Sequence, residues 1–436
     1  MTTTAPTDRD VWRIAAPMIL SNVTVPLLGM VDTFVMGHLD GPRYLGAVAV
    51  GSIVFSFLYT GMNFLRMGTT GIAAQSFGAD DNDGIRSALG QALIVALTLG
   101  VLLLVLKAPI AVSLELVGAE PDVLALAQSY FHVRIFSAPG TLANMVLIGW
   151  FIGLSNARVP MAMFLTTTIT NMLLDVVFVF GLGMDVDGVA LASVVAEYLG
   201  LSVGLYFAVR TLKGRDGSWP MERLKSLAEY RAFFSVNANL FVRTMALIFA
   251  IAFLTARSAR FGETVLAANA ILMNLQNLTS FGLDGLAHAA EALVGKAVGR
   301  KDRDALATAV RLSLKWSLIF AAGFAALYAV GGPILILLLT DIDEVRDAAI
   351  RYLPWLVASP LISVWSFLYD GVYVGATRAR EMRDIMLVST FLVFLPAWYV
   401  LTPLGNDGLW LAFMLFLASR GIGMHVLYRR RLLPSV

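Results

Sequence analysis

Residues 45–65 read LGAVAVGSIVFSFLYTGMNFL, and a shift of 221 positions brings them onto LAANAILMNLQNLTSFGLDGL at 266–286. Identical residues fall at Leu45, Ala47, Ala49, Gly61 and Leu65. The same shift places Gly78, Asp81 and Asp83 on Gly299, Asp302 and Asp304. Shifts of 222 and 220 align GWFIGLSNAR (149–158) with GVYVGATRAR (371–380) and DGVALA (187–192) with DGLWLA (407–412). Because separate stretches agree within one residue of offset, we interpret the chain as one unit used twice.

The composition is that of a membrane protein. Of the 436 residues, 58% are hydrophobic and 14% are charged, whereas charged residues make up about a quarter of soluble domains. Apolar runs of roughly 20 residues or more are long enough to cross about 30 Å of hydrocarbon as helices. We therefore predict an all-α membrane protein with twelve transmembrane helices, at 11–36, 44–77, 87–112, 122–153, 160–183, 188–210, 231–256, 264–296, 307–339, 345–375, 384–403 and 408–428.

The two copies define the predicted domains. Each copy contains six spans, and an even number returns the chain to the side on which it started. The repeats are then parallel, forming two six-helix lobes related by a pseudo-two-fold axis along the membrane normal. We predict an N-lobe at 1–212, a cytoplasmic linker at 213–230 and a C-lobe at 231–436.

Basic residues indicate the orientation in the membrane. Arginine and lysine concentrate on the side of the termini and of the linker RTLKGRDGSWPMERLKSLAEYR (210–231), which predicts that both termini are cytoplasmic. The opening MTTTAPTDRD lacks a basic region followed by a short apolar core, so we expect no removable signal peptide. The sequence predicts a multi-pass protein of the cell's inner (plasma) membrane.

Asp32 and Asp175 are carboxylates inside apolar spans of the first copy. Asp32 lies in PLLGMVDTFVMGHL (26–39), and Asn171 and Asp175 stand four apart, on one helical face, in TNMLLDVVFVFG (170–181). In the second copy, the equivalent positions are Phe253, Leu392 and Pro396. An intramembrane acid costs roughly 2.5 to 3.5 kcal/mol and usually marks an ion pathway. We predict a proton or cation site; the alternative is that the acids only cap or bridge helices within the core.

Two prolines of the first span, Pro17 and Pro26, suggest a moving helix. Each proline removes a backbone hydrogen bond and favours a kink. A weakened helix that also carries Asp32 is a candidate moving part. The alternative is a static kink whose freed carbonyl groups are satisfied by neighbouring helices.

The second copy has polar residues of its own, which define a possible C-lobe polar site. They are Arg243, Asp284, His288, Glu291 and Asp370, opposite Asn22, Asn63, Met67, Thr70 and Ile148 of the first copy. His288 and Glu291 are three apart on one face and are predicted to form either a salt bridge or a second ion site. We favour structural pairing because Arg243 is available as a neutralising partner.

Several function classes find no support in the sequence. There is no cysteine, no phosphate-binding glycine loop and no arrangement of Ser, His and acid that suggests hydrolysis. The histidines His132, His288 and His425 share no metal-ligand spacing. We expect no enzyme activity, no cofactor, no metal and no nucleic-acid partner, and we expect a monomer surrounded by membrane lipids.

Three motifs resemble the multidrug and toxic compound extrusion (MATE) transporters, and within them the DNA-damage-inducible F (DinF) branch. They are GMVDTFVMGHL in the first span, NxxxD in the fifth, and GxxxGxxxAR at 149–158 and 371–380. The resemblance implies a secondary antiporter that works by alternating access. It would export cationic or amphipathic small molecules in exchange for inward H+ or Na+.

The resemblance also implies roles for individual residues. Asp32, Asn171, Asp175 and a hydroxyl in the sixth span, matched by Ser193, would form the N-lobe cation site. Pro17 would be the proline at which the first helix bends on protonation, and Pro26 is an additional proline to which the resemblance assigns no role. Relatives with a dominant C-lobe site use acids in the seventh and tenth spans. Here Asp370 is present, but Arg243 occupies the seventh span.

A second function remains open at this point. A flippase for lipid-linked or polysaccharide precursors would share the superfamily architecture, and it would need arginines to bind a pyrophosphate. Arg66, Arg134 and Arg243 supply a sparse set of such residues. The choice between H+ and Na+ also remains open, because acids, an amide and a hydroxyl bind either ion.

Overall fold

A computed structural model describes residues 5–39 and 41–436, without the side chains of residues 23, 25–30, 32 and 33. The side chains of two predicted site residues, Asp32 and Pro26, therefore lie outside the described part of the molecule. Their backbone belongs to the first helix.

The described chain is helical and contains no strand. Its long helices are α1 (Asp8–Gly37), α2 (Pro42–Gly78), α3 (Asn82–Val105), α4 (Pro121–Gly153), α5 (Arg158–Gly181), α6 (Val186–Lys213), α7 (Leu227–Phe261), α8 (Glu263–Gly299), α9 (Arg303–Leu339), α10 (Asp343–Gly375), α11 (Ala379–Leu404) and α12 (Asn406–Ser435). Each overlaps one predicted span.

Ten of the described helices are long and apolar enough to cross a membrane. The other two, α1 and α8, have 30 and 37 residues and exceed the roughly 20 that a span requires. Large apolar side chains also lie on the outside of the helices: Val330 is 83% exposed and Leu338 is 76% exposed. Such surfaces suit contact with lipid, so the predicted all-helical membrane fold is confirmed.

Proline explains two irregular segments within the helices. A 3₁₀ turn at Ile135–Ser137 precedes Pro139 in α4, and a π turn at Val388–Phe394 precedes Pro396 in α11. Proline has no N–H to continue the helical ladder, so the preceding turn tightens or widens. A further π turn, Val177–Gly181, directly follows the segment of α5 that carries Asp175.

The chain divides into two compact units. The N unit is Leu20–Phe233, and the C unit combines Met1–Ile19 with Phe234–Val436. The predicted linker, 213–230, thus belongs to the N unit. The helix α1 begins in the C unit and continues in the N unit.

Polar and aromatic contacts hold the start of α1 within the C unit. The carboxylate of Asp8 accepts hydrogen bonds from Lys315 Nζ at 3.0 Å and from Trp316 Nε1 at 2.7 Å. The ring of Trp12 packs edge-on against that of Trp316, with centroids 5.0 Å apart. These contacts fix the first turns of α1 on α9.

Paired glycines in each unit show the repeat as equivalent geometry. A Cβ on Gly149 of α4 would lie 2.3 Å from the carbonyl oxygen of Arg66 on α2, and a Cβ on Gly371 of α10 would lie 2.4 Å from that of Ala287 on α8. Only glycine allows two helix backbones to approach so closely. The second glycines of the motifs make the same kind of contact, Gly153 against Thr70 and Gly375 against Glu291.

The loops repeat as well. Asp81 caps α3 by accepting from the Gly84 N–H at 2.8 Å, and its counterpart Asp302 caps α9 by accepting from the Ala305 N–H at 2.9 Å. The positive φ values of Asp80 and Ser155 recur at Lys301 and Thr377. The repeat interpreted from the sequence is therefore present in the backbone of both units.

The linker is attached to α3. Arg86 donates to the carbonyl oxygens of Leu212, Arg215 and Asp216 at 3.1, 2.9 and 2.9 Å. Arg223 donates to Asp81 at 2.9 Å. Burial opposes ionisation of Asp81, but the Gly84 N–H and the Arg223 guanidinium outweigh it and lower the pKa of this carboxyl. The linker is thus a bound segment of the N unit.

Candidate functional site

The α5–α6 site consists of Asn171, Asp175 and Ser193. Asn171 and Asp175 lie one turn apart on α5, where they are 2% and 0% exposed, and α6 packs against this face. The amide of Asn171 bonds to Ser193 Oγ at 3.0 Å. When its nitrogen faces Asp175, Nδ2 donates to Asp175 Oδ2 at 3.1 Å and Oδ1 accepts from the Ser193 hydroxyl and N–H. The structure therefore brings together three of the four predicted N-lobe residues.

The chemistry of this site is that of a buried carboxylate beside neutral polar groups. An amide N–H stabilises a carboxylate but does not neutralise its charge. A proton or a small cation does neutralise it, which avoids the cost of a charge in the interior. The arrangement is therefore suited to taking up and releasing a positive ion.

The fourth predicted member, Asp32, is placed only by its backbone, which lies in the part of α1 that belongs to the N unit. Its proximity to Asp175 stays a prediction. Pro17 lies in the part of α1 that belongs to the C unit, two residues before the boundary at Ile19. The helix continues through Pro17 and through position 26.

The predicted C-lobe residues form two separate groups. Arg243 donates to Asp370 Oδ2, and Arg420 donates to the same oxygen at 2.8 Å. His288 Nδ1 lies 3.3 Å from Glu291 Oε1, in the predicted i, i+3 pairing, and Asp284 precedes His288 by one turn of α8. The carboxylate bonded to Arg243 is therefore Asp370, while His288 and Glu291 lie beside each other. The structure brings α10 beside α7 at Asp370, a long-range contact that helical spacing does not reveal.

Arg420, which is 5% exposed, was not predicted from the sequence. The Nε atoms of Arg243 and Arg420 and the Oδ1 atom of Asp370 are buried and have no hydrogen-bond partner among the described residues. Two guanidinium groups thus share one carboxylate. Asp370, the acid of the tenth predicted span, therefore has two cationic side chains as partners.

A second polar group in the N unit was also missed. Asn144 Nδ2 on α4 donates to Glu197 Oε2 at 2.8 Å and to the Glu197 carbonyl oxygen at 2.9 Å. Nearby, the Tyr59 hydroxyl lies 3.0 Å from Ser137 Oγ, which also accepts from Arg134. A glutamate inside the apolar stretch VALASVVAEYLGLSVG (189–204) was the available signal.

Comparison with known proteins identifies the family. The MatE family model matches residues 17–177 and 238–400, once in each half of the chain. The chain belongs to the MATE family. The resemblance found in the sequence is thereby confirmed.

Individual relatives agree with this assignment. DNA damage-inducible protein F of Escherichia coli (strain K12) is 42% identical over 424 residues, covering 97% of this chain and 92% of that protein. Multidrug export protein MepA of Staphylococcus aureus (strain NCTC 8325 / PS 47) is 21% identical, covering 92% and 88%. The crystal structure of a MATE P26A mutant superposes with a TM-score of 0.89 at 21% identity, covering 100% of this chain and 98% of that one.

These matches establish the class of the protein. A chain of the MATE family with apolar membrane-crossing helices is a multi-pass membrane transporter, and its relatives are transporters rather than enzymes. The 42% identity also supports the predicted DinF branch. In this MATE transporter the α5–α6 site and the Asp370 cluster are two of the polar groups to which a function must be assigned.

Proposed function

We propose that the protein is a secondary multidrug efflux antiporter that exports cationic and amphipathic compounds in exchange for inward protons by alternating access. The observation that carries the proposal is the buried Asp175, which bonds to the neutral side chain of Asn171 beside Ser193. The relative MepA is a multidrug export protein. A structural neighbour with a TM-score of 0.88 is a multidrug resistance transporter in an outward-facing conformation, which supports alternating access as the working cycle.

The ligand geometry favours H+ over Na+ as the coupling ion. A sodium ion needs several oxygen ligands, whereas a proton needs one. The Asn171 oxygen already accepts from the Ser193 hydroxyl and N–H at 3.0 and 3.1 Å. A proton on the carboxylate leaves these bonds in place, whereas Na+ coordination competes with them.

We further propose that α1 transmits the change at this site. Its first turns are held to α9 by Asp8 and Trp12, while residues from Leu20 onward pack in the N unit. Pro17 lies close to this change of packing and lacks the N–H that would bond to the Arg13 carbonyl. A bend near Pro17 leaves the anchored turns in place and moves only the part of α1 that carries Asp32.

The proton gradient is sufficient for this cycle. One proton moving through 100 mV and one pH unit yields about 2.3 plus 1.4 kcal/mol. That free energy sustains a gradient of a few hundredfold for a neutral compound, but only about tenfold for a monovalent cation, because the voltage terms cancel. Two protons per cycle would raise both limits.

The alternative of a lipid-linked precursor flippase receives less support. It needs arginines available for a pyrophosphate, but each of the three candidates has a protein acceptor. Arg66 donates to Asn63, Arg134 to Ser137 and Arg243 to Asp370.

The test is transport of a fluorescent cation by proteoliposomes given a pH gradient alone or a Na+ gradient alone. We expect the pH gradient to drive wild-type transport, and Asp175→Asn to lower the rate at least tenfold. Asp122→Asn, at an exposed position in the first turn of α4, is the matched control and should behave as wild type. Transport driven only by Na+, or full activity of Asp175→Asn, would contradict the proposal. Movement of lipid-linked precursors without drug transport would favour the flippase.

A further inference from the structure

Glu197 is a membrane-embedded carboxylate without an assigned role. It follows Ser193 by four residues on α6, and therefore lies one turn away on the same helical face. Four residues of helix correspond to about 6 Å along the axis. Glu197 is thus the next acid on α6 after the member of the α5–α6 site that this helix supplies.

The carboxylate is held in place by a neutral partner. Asn144 Nδ2 donates to Glu197 Oε2 at 2.8 Å, and no described basic side chain lies within 4.0 Å of this carboxylate. The other end of the amide, Asn144 Oδ1, is buried and has no hydrogen-bond partner among the described residues. Glu197 and Asn144 together therefore provide a buried acceptor beside a carboxylate, which is the kind of polar pair that a proton or a water molecule joins.

Close packing keeps this pair next to α5. A Cβ on Gly200 would lie 2.2 Å from Thr167 Oγ1 and 3.6 Å from Asn144 Nδ2. The absence of a side chain at position 200 therefore lets the hydroxyl and the amide approach α6. Polar groups of α4, α5 and α6 meet at this level of the N unit.

One arginine and two tyrosines are other titratable groups described near Glu197. Arg134 on α4 interacts electrostatically with Glu197 and with the hydroxyl groups of Tyr59 and Tyr130. The Arg134 guanidinium also lies over the Phe55 ring, 5.6 Å from its centroid. Among the described residues, the Arg134 guanidinium donates to the Ser137 hydroxyl and lies over the Phe55 ring, and it does not come within 4.0 Å of the Glu197 carboxylate.

The direction of α6 determines which of Ser193 and Glu197 lies nearer to the cytoplasm. The helix α6 runs from Val186 to Lys213 and ends at the basic linker. With the linker in the cytoplasm, as the charge distribution predicts, Glu197 lies nearer to the cytoplasm than Ser193. A proton that enters from outside and leaves inward has to travel in this direction.

We propose that Glu197 is a second proton-carrying carboxylate, which receives the proton that Asp175 releases and passes it toward the cytoplasm. In the transfer, the O–H bond on the Asp175 carboxyl breaks and an O–H bond forms on Glu197, with the Ser193 hydroxyl or a water molecule relaying the proton. Asn144 holds the Glu197 carboxylate in position between transfers. The inference rests on the proposed proton coupling and adds the inward half of the route.

The test compares two transport modes in proteoliposomes. Substrate exchange at equal pH on both sides requires binding and conformational change but no net proton transfer, whereas uptake driven by a pH gradient requires both. We expect Glu197→Gln to lower gradient-driven transport at least tenfold and to flatten its pH profile, while exchange stays within twofold of wild type. Glutamine keeps the size and the Asn144 partner, so retained exchange also demonstrates folding. Glu197→Asp should restore part of the gradient-driven rate.

Glu115→Gln, at an exposed position between α3 and α4, is the matched control and should equal wild type in both modes. Gradient-driven transport by Glu197→Gln at the wild-type rate and pH profile would overturn the inference and leave the proposed function intact. Equal losses in both modes would also overturn it, by assigning Glu197 to substrate binding or structure. If the wild type ignores the pH gradient, the proposed function fails, and the inference fails with it.

Discussion

At Asp370, one carboxylate bonds to two guanidinium groups. This ratio determines how much each of the three residues contributes to the stability of the protein. Both arginines are more than nine-tenths buried, and both donate to the same Oδ2 atom. Removing one partner of a buried ion pair is costly because the remaining charge stays in a low dielectric. The carboxylate is therefore the critical member, whereas either arginine leaves a neutral pair behind when it is removed.

We expect Asp370→Asn to destabilise the protein by about 3–5 kcal/mol, because two buried cations lose their counterion. Arg420→Gln should cost less, since Arg243 and Asp370 still form a pair. Thermal unfolding in detergent, followed by size-exclusion chromatography, measures both variants, and Asp122→Asn controls for loss of a surface acid. Equal losses of stability for Asp370→Asn and Arg420→Gln would contradict the view that the carboxylate balances two buried cations. Partial recovery in the double variant Asp370→Asn/Arg420→Gln would support it.

Single residues also show how far the sequence could predict the site. Asn171, Asp175 and Ser193 lie together in the structure. The i, i+4 spacing placed the first two on one helical face, whereas Ser193 was predicted only through the family resemblance. Arg420 and Asn144 were missed because their partners, Asp370 and Glu197, lie 50 and 53 residues away. Comparison of the two copies offered a further signal: at a shift of 220, Glu197 falls on Leu417, the same polar-to-apolar change that marks Asp32.

At the scale of helices, the glycine motifs set how closely neighbours approach. A methyl group added at Gly149 would meet backbone atoms of Arg66, the nearest of them 2.3 Å away. Backbone moves less readily than a side chain, so an added methyl group at this position forces the two helices apart.

We expect Gly149→Ala to destabilise the N unit by about 1–3 kcal/mol, the usual cost of overpacking. Gly323→Ala is the matched control, because no heavy atom lies within 4 Å of the added methyl on α9, and the helix gains about 0.5–1 kcal/mol from replacing glycine. The melting temperatures of the two variants should therefore move in opposite directions. A fall of the same size for both would show that loss of glycine itself, and not the close approach of α2, is responsible.

Helix positions were the easiest part of the structure to predict, because long apolar runs leave few alternatives in a bilayer. The π turns of α5 and α11 were not predicted, since a widened turn keeps the same apolar composition as a regular one. The attachment of the linker to α3 through Arg86 was not predicted either, because arginine bonds to backbone carbonyls carry no sequence signature.

At the scale of the whole molecule, the charge distribution predicts the orientation in the membrane. The amino-acid composition allows this orientation to be measured directly. The chain has no cysteine, so a single introduced thiol reports on one position only. Ser218 in the linker and Glu120 between α3 and α4 are both exposed, and the charge asymmetry predicts that they face opposite sides.

We expect a membrane-impermeant maleimide to label Glu120→Cys in intact cells and to label Ser218→Cys only after the membrane is opened. Both variants should be labelled equally in detergent, which controls for local accessibility. Labelling of Ser218→Cys from outside would reverse the orientation and, with it, the direction that α6 gives to the proposed proton route.

The division of α1 between the units has a consequence for how the molecule is joined together. The chain passes from one unit to the other twice, after Ile19 and again after Phe233. A protease that cuts the linker therefore cuts within the N unit. The two units then remain covalently joined through the peptide bond between Ile19 and Leu20. Exchanging halves between relatives at the linker would graft the opening turns of α1 onto a foreign partner, so a workable chimera needs its junctions at both crossings.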